Sequence, residues 1–376
     1  MSLFYNSAQP TNIKSIYNQY DVVDFLVKMP TGRQMKANSM KLSGFLKVQK
    51  LLSDGTTANL AQTDSVFLNQ WAGAHSLFKN TSTSINERVV ENLQHYGRYV
   101  AMKTQAEATA ETIITSSEHN LELKGCLNNW LVLGGANSAK GVPFSIKPKI
   151  CINASSTDLP QSKFQQIKIM WNLSSAQEAL YISSGLPSVL PNPYITGLTF
   201  SLQDLEIHWY ESPEQKIEHT VLNTTFMTTQ TIVSLNNNIQ ITSPTAFDSC
   251  SISFLRQAML NNLYYDSLCC EYVPDINRVE FLINGESSPL SYAILPPVYQ
   301  DTALNYWKSL GGTEKNALCN RLLSENGCFG IGCEFKTMID TKLQFSLTID
   351  DATAYNPSNA GNAIDSYVYV NGFLQV

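Results

Sequence analysis

The strongest constraint on this chain is a strict period of two. Ile167, Ile169, Trp171 and Leu173 fall on one side of an extended chain, with Lys168 and Asn172 on the other. That is the pattern of a strand with one buried face, and such a strand belongs to a sheet covered by a second layer. Upstream, in the run that opens at Gly141, Ile146, Ile150 and Ile152 share a face. Pro148 lies between them and removes a ladder donor, which predicts an edge strand or a bulge. Asn153, Ser155, Ser156, Asp158 and Pro160 supply turn chemistry between the two runs. The two strands are expected side by side in one sheet.

Similar runs recur along the chain. Val23, Phe25 and Val27 alternate, then Leu42, Gly44, Leu46 and Val48, and the simplest expectation is an antiparallel pair. Residues 1–20 are expected as a short helix or arm, and 52–85 as mostly loop. Ser84 with Glu87 forms a capping-box signature before Val89, Val90, Leu93, Tyr96 and Val100, predicting a helix there. Leu198, Phe200 and Leu202 change phase to Leu205, Ile207 and Trp209 at Gln203 and Asp204, as a bulge would make them. A Thr- and Val-rich stretch from Ile217 to Leu235 is expected to end at Asn236, Asn237 and Asn238, while 251–263 fits helix or strand. Val279, Phe281 and Ile283 lead to the turn signal Asn284-Gly285. Asp301 or Thr302 caps a predicted helix through Leu304, Trp307 and Leu310 that stops at Gly311, and a second helix is expected from Thr313 to about Ser324.

An internal repeat follows from the order of these runs. Gly141 opens two strands followed by a long one at 197–211, and Gly327 opens two strands, the second Leu343 to Ile349, followed by one at 366–376. The 376 residues exceed one ordinary domain. We therefore expect an all-β chain of two tandem sandwiches of one plan with a few short helices in loops: an N-terminal arm at 1–20, a first sandwich at 21–212 and a second at 213–376. Only 15% of residues are charged, which suits short strands with ordered polar loops better than a helical bundle.

FSIKPKICIN at 144–153, LPQSK at 159–163 and IKIMWNL at 167–173 resemble the first-domain segment of double jelly-roll major capsid proteins, the lineage that includes tectiviruses, adenoviruses, virophages and Polinton-like elements. NSMKLSGFLKV at 38–48, LTFSLQDLEIHWYE at 198–211 and CFGIGCEFKTMIDTKLQFSLTID at 328–350 are similar to further strands of the same order. The resemblance implies that the two tandem sandwiches are eight-stranded jelly rolls, and that the chain is a non-enzymatic subunit that forms homotrimers, tiles an icosahedral shell against neighbouring trimers, and meets penton and minor capsid proteins and an internal membrane. It implies a place in the virion capsid after assembly in the host cytoplasm or nucleus. Residues 52–140 are the candidates for outward loops or trimer contacts.

The chemistry of single residues offers less. The five histidines form no metal-binding pair, and His208 is expected at the surface or in an interface. Eight cysteines, Cys126, Cys151, Cys250, Cys269, Cys270, Cys319, Cys328 and Cys333, are expected as reduced core residues. No cofactor or metal is expected. A tandem jelly-roll enzyme acting on glycans or glycopeptides would need two facing carboxylates, but Glu206 and Glu211 are an odd number apart and read as solvated strand charges. A tandem sandwich lectin is the remaining alternative. The glycines around Gly330 and Gly332 lack the strand-turn-helix frame of a phosphate loop. The net charge of −6 gives no reason to expect sequence-specific nucleic-acid binding. No apolar run is long enough for a spanning helix, and the N-terminus lacks signal-peptide features, so no secretion is expected. Residues 1–50 carry seven basic and two acidic side chains, a net +5. An ordinary solvated strand pair is one reading of that balance; the other, which the resemblance implies, is a basic inner face that meets anionic headgroups or genome, with Lys14, Arg33 and Lys36 as its candidates.

Overall fold

The computed structural model describes residues 3–61, 66–69, 71–107, 141–182, 195–216, 219–232, 236–268, 276–283, 305–311, 330–339, 342–349 and 363–376, together with 64, 234, 286–287 and 292–293. The first half contains β1 Phe4–Ala8, β2 Ile16–Asn18, β3 Val22–Lys28, β4 Arg33–Met35, β5 Lys41–Leu52, β6 Thr57–Asn59, β7 Val66–Leu68, β8 Phe78–Ile85, β9 Arg88–Leu93, helix α1 Tyr96–Glu107, β10 Val142–Ile146, β11 Leu159–Pro160, β12 Gln166–Leu173, β13 Leu180–Ile182 and β14 Ile195–Pro213. The second contains β15 Val221–Ile232, β16 Asn236–Thr242, β17 Phe247–Arg256, β18 Ile276–Ile283, β19 Glu286–Ser287, β20 Tyr292–Ala293, β21 Gly330–Ile339, β22 Lys342–Ile349 and β23 Ile364–Gln375, with one helical turn at 305–309.

The pairings make the same sandwich twice. In the first half β1 and β2 lie along β14, which pairs with β5, which pairs with β10. The opposing layer is β3, β12, β8 and β9 in that order. In the second half β15, β23, β17 and β21 form one layer, and β16, β22 and β18, with β19 and β20 along its other edge, form the other. Each half thus carries two layers of four principal positions in one order, the split strands β1/β2 and β19/β20 each filling a single position, and in the first half β4, β6 and β11 extend the β14 layer. Apart from the β8–β9 and β18–β19 hairpins, successive strands of these positions cross between the layers, which is a jelly roll, and the expected repeat is present in the order of these positions.

Alternation decides which side chains fill these cores. Ile167, Ile169, Trp171 and Leu173 are all buried and Lys168 is exposed. Their face meets Val23, Phe25 and Val27 of β3 within one layer, and Leu42, Leu46, Leu202 and Ile207 across the sandwich in the same core. Trp171 anchors the centre, with the Phe25 ring 5.6 Å away at 78° and the Phe78 ring at 5.8 Å. An edge-on pair such as Phe25 and Trp171 adds about 1 kcal/mol beyond the area it buries. The second core gathers Ile239, Ile252, Phe281, Phe335 and Val368, with Phe281 and Phe335 edge to face at 6.1 Å.

The bulge stands where the phase slip predicts it. Pairing of β14 with β5 shifts between Gln203 and Glu206, and Asp204 takes φ 50°. The extra residue keeps Leu202, Leu205, Ile207 and Trp209 all buried. Gly44 lies opposite, where a Cβ would sit 2.7 Å from Leu205 Cδ2.

Several expectations are corrected. β10 and β12 are not neighbours, since β10 is the edge strand of one layer and β12 lies inside the other; β3 and β5 are divided in the same way. Alternation reports that a face is buried but not which strand lies beside it, and in a jelly roll most consecutive strands cross between layers. Residues 4–8 and 16–18 are extended along β14 rather than helical. The stretch 78–85 is a strand inside its layer rather than a loop, with the polar Thr81 and Thr83 at buried positions. The capping box at Ser84 and Glu87 is instead a hairpin: Asn86 and Glu87 both take positive φ, 48° and 70°, and turn β8 into β9. The helix starts only at Tyr96. Asn236 to Asn238 open β16 instead of closing β15, and 247–256 is strand. The proposed caps at Asp301 and Thr302, the helix at 313–324, and Cys126, Cys269, Cys270, Cys319 and Cys328 lie outside the described residues.

Candidate functional site

The two jelly rolls are joined through their sheets. β9 pairs in parallel with β15 at Asn92 and Phe226, so an eight-stranded sheet, β3-β12-β8-β9-β15-β23-β17-β21, runs through both halves. One parallel contact is little on its own, and side chains around it complete the joint. Glu91, 1% exposed, accepts from the Cys151 backbone N–H through Oε2 at 2.8 Å and from the Thr225 N–H through Oε1 at 3.0 Å. A single carboxyl therefore ties a loop of the first roll to a strand of the second. Burial pushes its pKa up to about 7, against the pull of those two hydrogen bonds.

Helix α1 fills the angle between the rolls, which is why it is buried on nearly every side. Gly97 admits it, since a Cβ there would lie 3.1 Å from the Ser76 backbone. Toward the first roll, Tyr96 Oη contacts His75 Nδ1 at 2.8 Å and accepts from the Lys149 N–H at 3.0 Å. Toward the second, Tyr99 Oη lies 3.0 Å from Thr225 Oγ1 and 3.3 Å from Asn371 Oδ1, and the Tyr99 and Tyr369 rings are 5.4 Å apart. Arg98, 1% exposed, places its guanidinium 4.1 Å from the Tyr367 ring centre and donates to the Ser267 carbonyl. Burial raises the pKa of the nearby Asp266, opposed by hydrogen bonds from Leu268 and Asn69 and by the Arg98 charge.

A cleft of about 570 Å³ opens along this joint. Lys103, Lys149 and Lys308 share its wall with Glu107, Asp248 and Glu334. Glu107 bonds both Lys103, at 3.0 Å, and Lys149, at 3.2 Å, so the wall is an ion-pair network of mixed sign. Among the described residues no group of three or more His, Cys, Asp or Glu side chains converges as a metal site would need. Cys151, Cys250 and Cys333 are buried free thiols, with pKa values raised by burial.

The residues singled out from the sequence are dispersed. Lys14 pairs with Asp21 at 2.9 Å, Lys36 pairs with Asp158 at 2.6 Å, and the Arg33 guanidinium sits 3.6 Å from the Phe4 ring centre. Arg33 and Lys36 lie at the Pro213 end of β14, while Lys14 precedes the Ile16–Gln203 pairing, some eight to ten residues back, on the order of 30 Å along the strand. Glu206 and Glu211 do occupy opposite faces, but Glu211 is not a solvated charge: it is 1% exposed and accepts from Trp209 Nε1 at 2.8 Å. His208 is held between Tyr5 Oη at 2.6 Å and Ser43 Oγ at 2.8 Å. The glycines at 330 and 332 have a packing role. A Cβ on Gly332 would lie 2.1 Å from Ser309 Oγ and 2.8 Å from Tyr306 Cα, so the bare strand lets the 305–309 turn sit directly on it. Glu91 and Tyr99 carry no motif; the one hint is a carboxylate set among Val89, Val90 and Leu93.

No protein-family model and no curated protein sequence matches the chain. Solved structures do. The Faustovirus major capsid protein is 8% identical with a TM-score of 0.60, over 100% of this chain and 90% of that one. A chain of the Sputnik virophage particle gives 12% and 0.56, over 100% and 86%, and the mavirus major capsid protein 9% and 0.53, over 99% and 90%. At such identities the likeness is one of fold, and the fold is that of the double jelly-roll major capsid proteins.

Proposed function

We propose that this chain is a major capsid protein: a structural subunit that associates as homotrimers of pseudo-hexagonal outline, which pack against one another and against penton and minor capsid proteins in an icosahedral shell. The observation that carries this reading is the joint. Two copies of one sandwich, held by a shared sheet, a buried helix and the Glu91 clamp, form a block with two like lobes, and three such blocks around an axis give six. The division into rolls at 21–212 and 213–376, with the arm at 1–20 laid along β14 as the edge of the first roll, belongs to the same proposal. Light scattering during gel filtration tests it: the expected mass is three times 41.8 kDa. A stable monomer at micromolar concentration would overturn it.

Lys14, Arg33 and Lys36 are proposed to face an anionic inner surface such as a membrane. Each charge near such a surface adds about 1 kcal/mol and is screened within roughly 8 Å at physiological salt. Changing all three to Gln should reduce flotation of the assembled protein with anionic liposomes at low salt. Unchanged flotation would remove the membrane from the proposal.

A further inference from the structure

The joint inside the chain has a counterpart at each end of the molecule that no further strand covers among the described residues. Within the chain, the outer edge of the β3-β12-β8-β9 layer of the first roll meets the outer edge of the β15-β23-β17-β21 layer of the second. By the strand-for-strand repeat, the second roll carries the equivalent of β9 in β19 and β20. Both pair with β18 on the side away from β22, and no further strand pairs with them among the described residues. The first roll carries the equivalent of β15 in β1 and β2, which pair with β14 and, among the described residues, with no other strand. An exposed strand edge offers a row of backbone donors and acceptors to another chain.

The side chains single out the same edge. Among the described residues fourteen large hydrophobics are exposed, and six of them, Leu3, Phe4, Tyr5, Ile13, Ile16 and Tyr20, lie in the first twenty positions on or beside β1 and β2. Ile13 is 75% exposed and Tyr20 66%. Tyr210, opposite Tyr5 in the adjoining strand, is exposed too and extends the patch, its ring 5.6 Å from that of Tyr5. A concentration of apolar surface along an unpaired edge marks a contact site.

We infer that the β1/β2 edge of one subunit receives the β19/β20 edge of a second copy, repeating between chains the parallel joint that β9 and β15 make within one. The inference rests on the trimer proposed above and specifies its contact. The contact is heterologous, so three copies joined head to tail close a ring of six rolls in which every junction has the same sense. Loss of the edge and loss of the trimer are separable by experiment. Ile13→Lys combined with Ile16→Lys places two charges in the patch without disturbing a core position. The expected result is a parent trimer and a folded variant with normal melting whose trimer dissociation constant is raised about 100-fold or more. A parent trimer with an unaffected variant would overturn the edge and leave the trimer standing; a parent monomer would overturn both. Hydrogen exchange on the parent trimer provides the readout should the variant not fold. The outward amides of residues 4–8 and 16–18, and those of 286–287 and 292–293, should exchange slowly, and fast exchange at both edges would overturn the inference.

Discussion

Glu91 shows how much a single residue carries here. Its partners are backbone N–H groups 60 and 134 positions away, so no local pattern in the sequence could reveal them. Ile169 is the opposite case: its burial, 0% exposed, follows from alternation alone. The Glu91 carboxyl, with a pKa of about 7 in the folded protein and about 4.5 in the unfolded chain, binds more protons when folded between those values. Its contribution is therefore fully present below about pH 4.5 and lost as pH rises through 7, a swing on the order of 3 kcal/mol. The groups around it are Tyr99 and Cys151, both with pKa values raised by burial, so neither begins to ionise in that window. Glu91→Gln keeps one acceptor and cannot ionise. Melting temperatures between pH 5 and 8 should fall with pH more steeply for the parent than for the variant, and parallel curves would refute the assignment.

Among the elements, those with an apolar face were legible and those packed through polar atoms were not. β12, β14 with its bulge and β22 follow from period two, whereas β23 is buried at every position from Ile364 to Val370, and the helix ending near Gly311, which takes φ 86°, follows from its stop signal. β8 was hidden because Thr81 and Thr83 occupy its buried positions, and β9 because Glu87 imitates a helix start where a hairpin turns. Gly332 had meaning only once the 305–309 turn was placed above it. Gly332→Val would drive a branched side chain into Ser309 and the Tyr306 backbone, with overpacking costs of about 3 kcal/mol. Denaturant titration should show a lower midpoint for Gly332→Val, whereas Gly55→Val, at a loop glycine with open space around it, should lose only what its φ of 82° demands. Equal losses at the two sites would show that the contact is not close.

At the scale of the molecule, the duplication was visible as an order of runs long before any pair of strands could be assigned. The joint was not, because a parallel contact between β9 and β15 leaves no periodic trace in either strand. Two equivalent rolls with a common sense of rotation are the geometric basis for a six-lobed ring, and everything proposed for function depends on that ring forming. Electron micrographs of the purified, full-length protein at micromolar concentration test it most directly. Particles with three-fold symmetry and six peripheral lobes are expected; isolated two-lobed particles, or rings of any other symmetry, would rule the ring out.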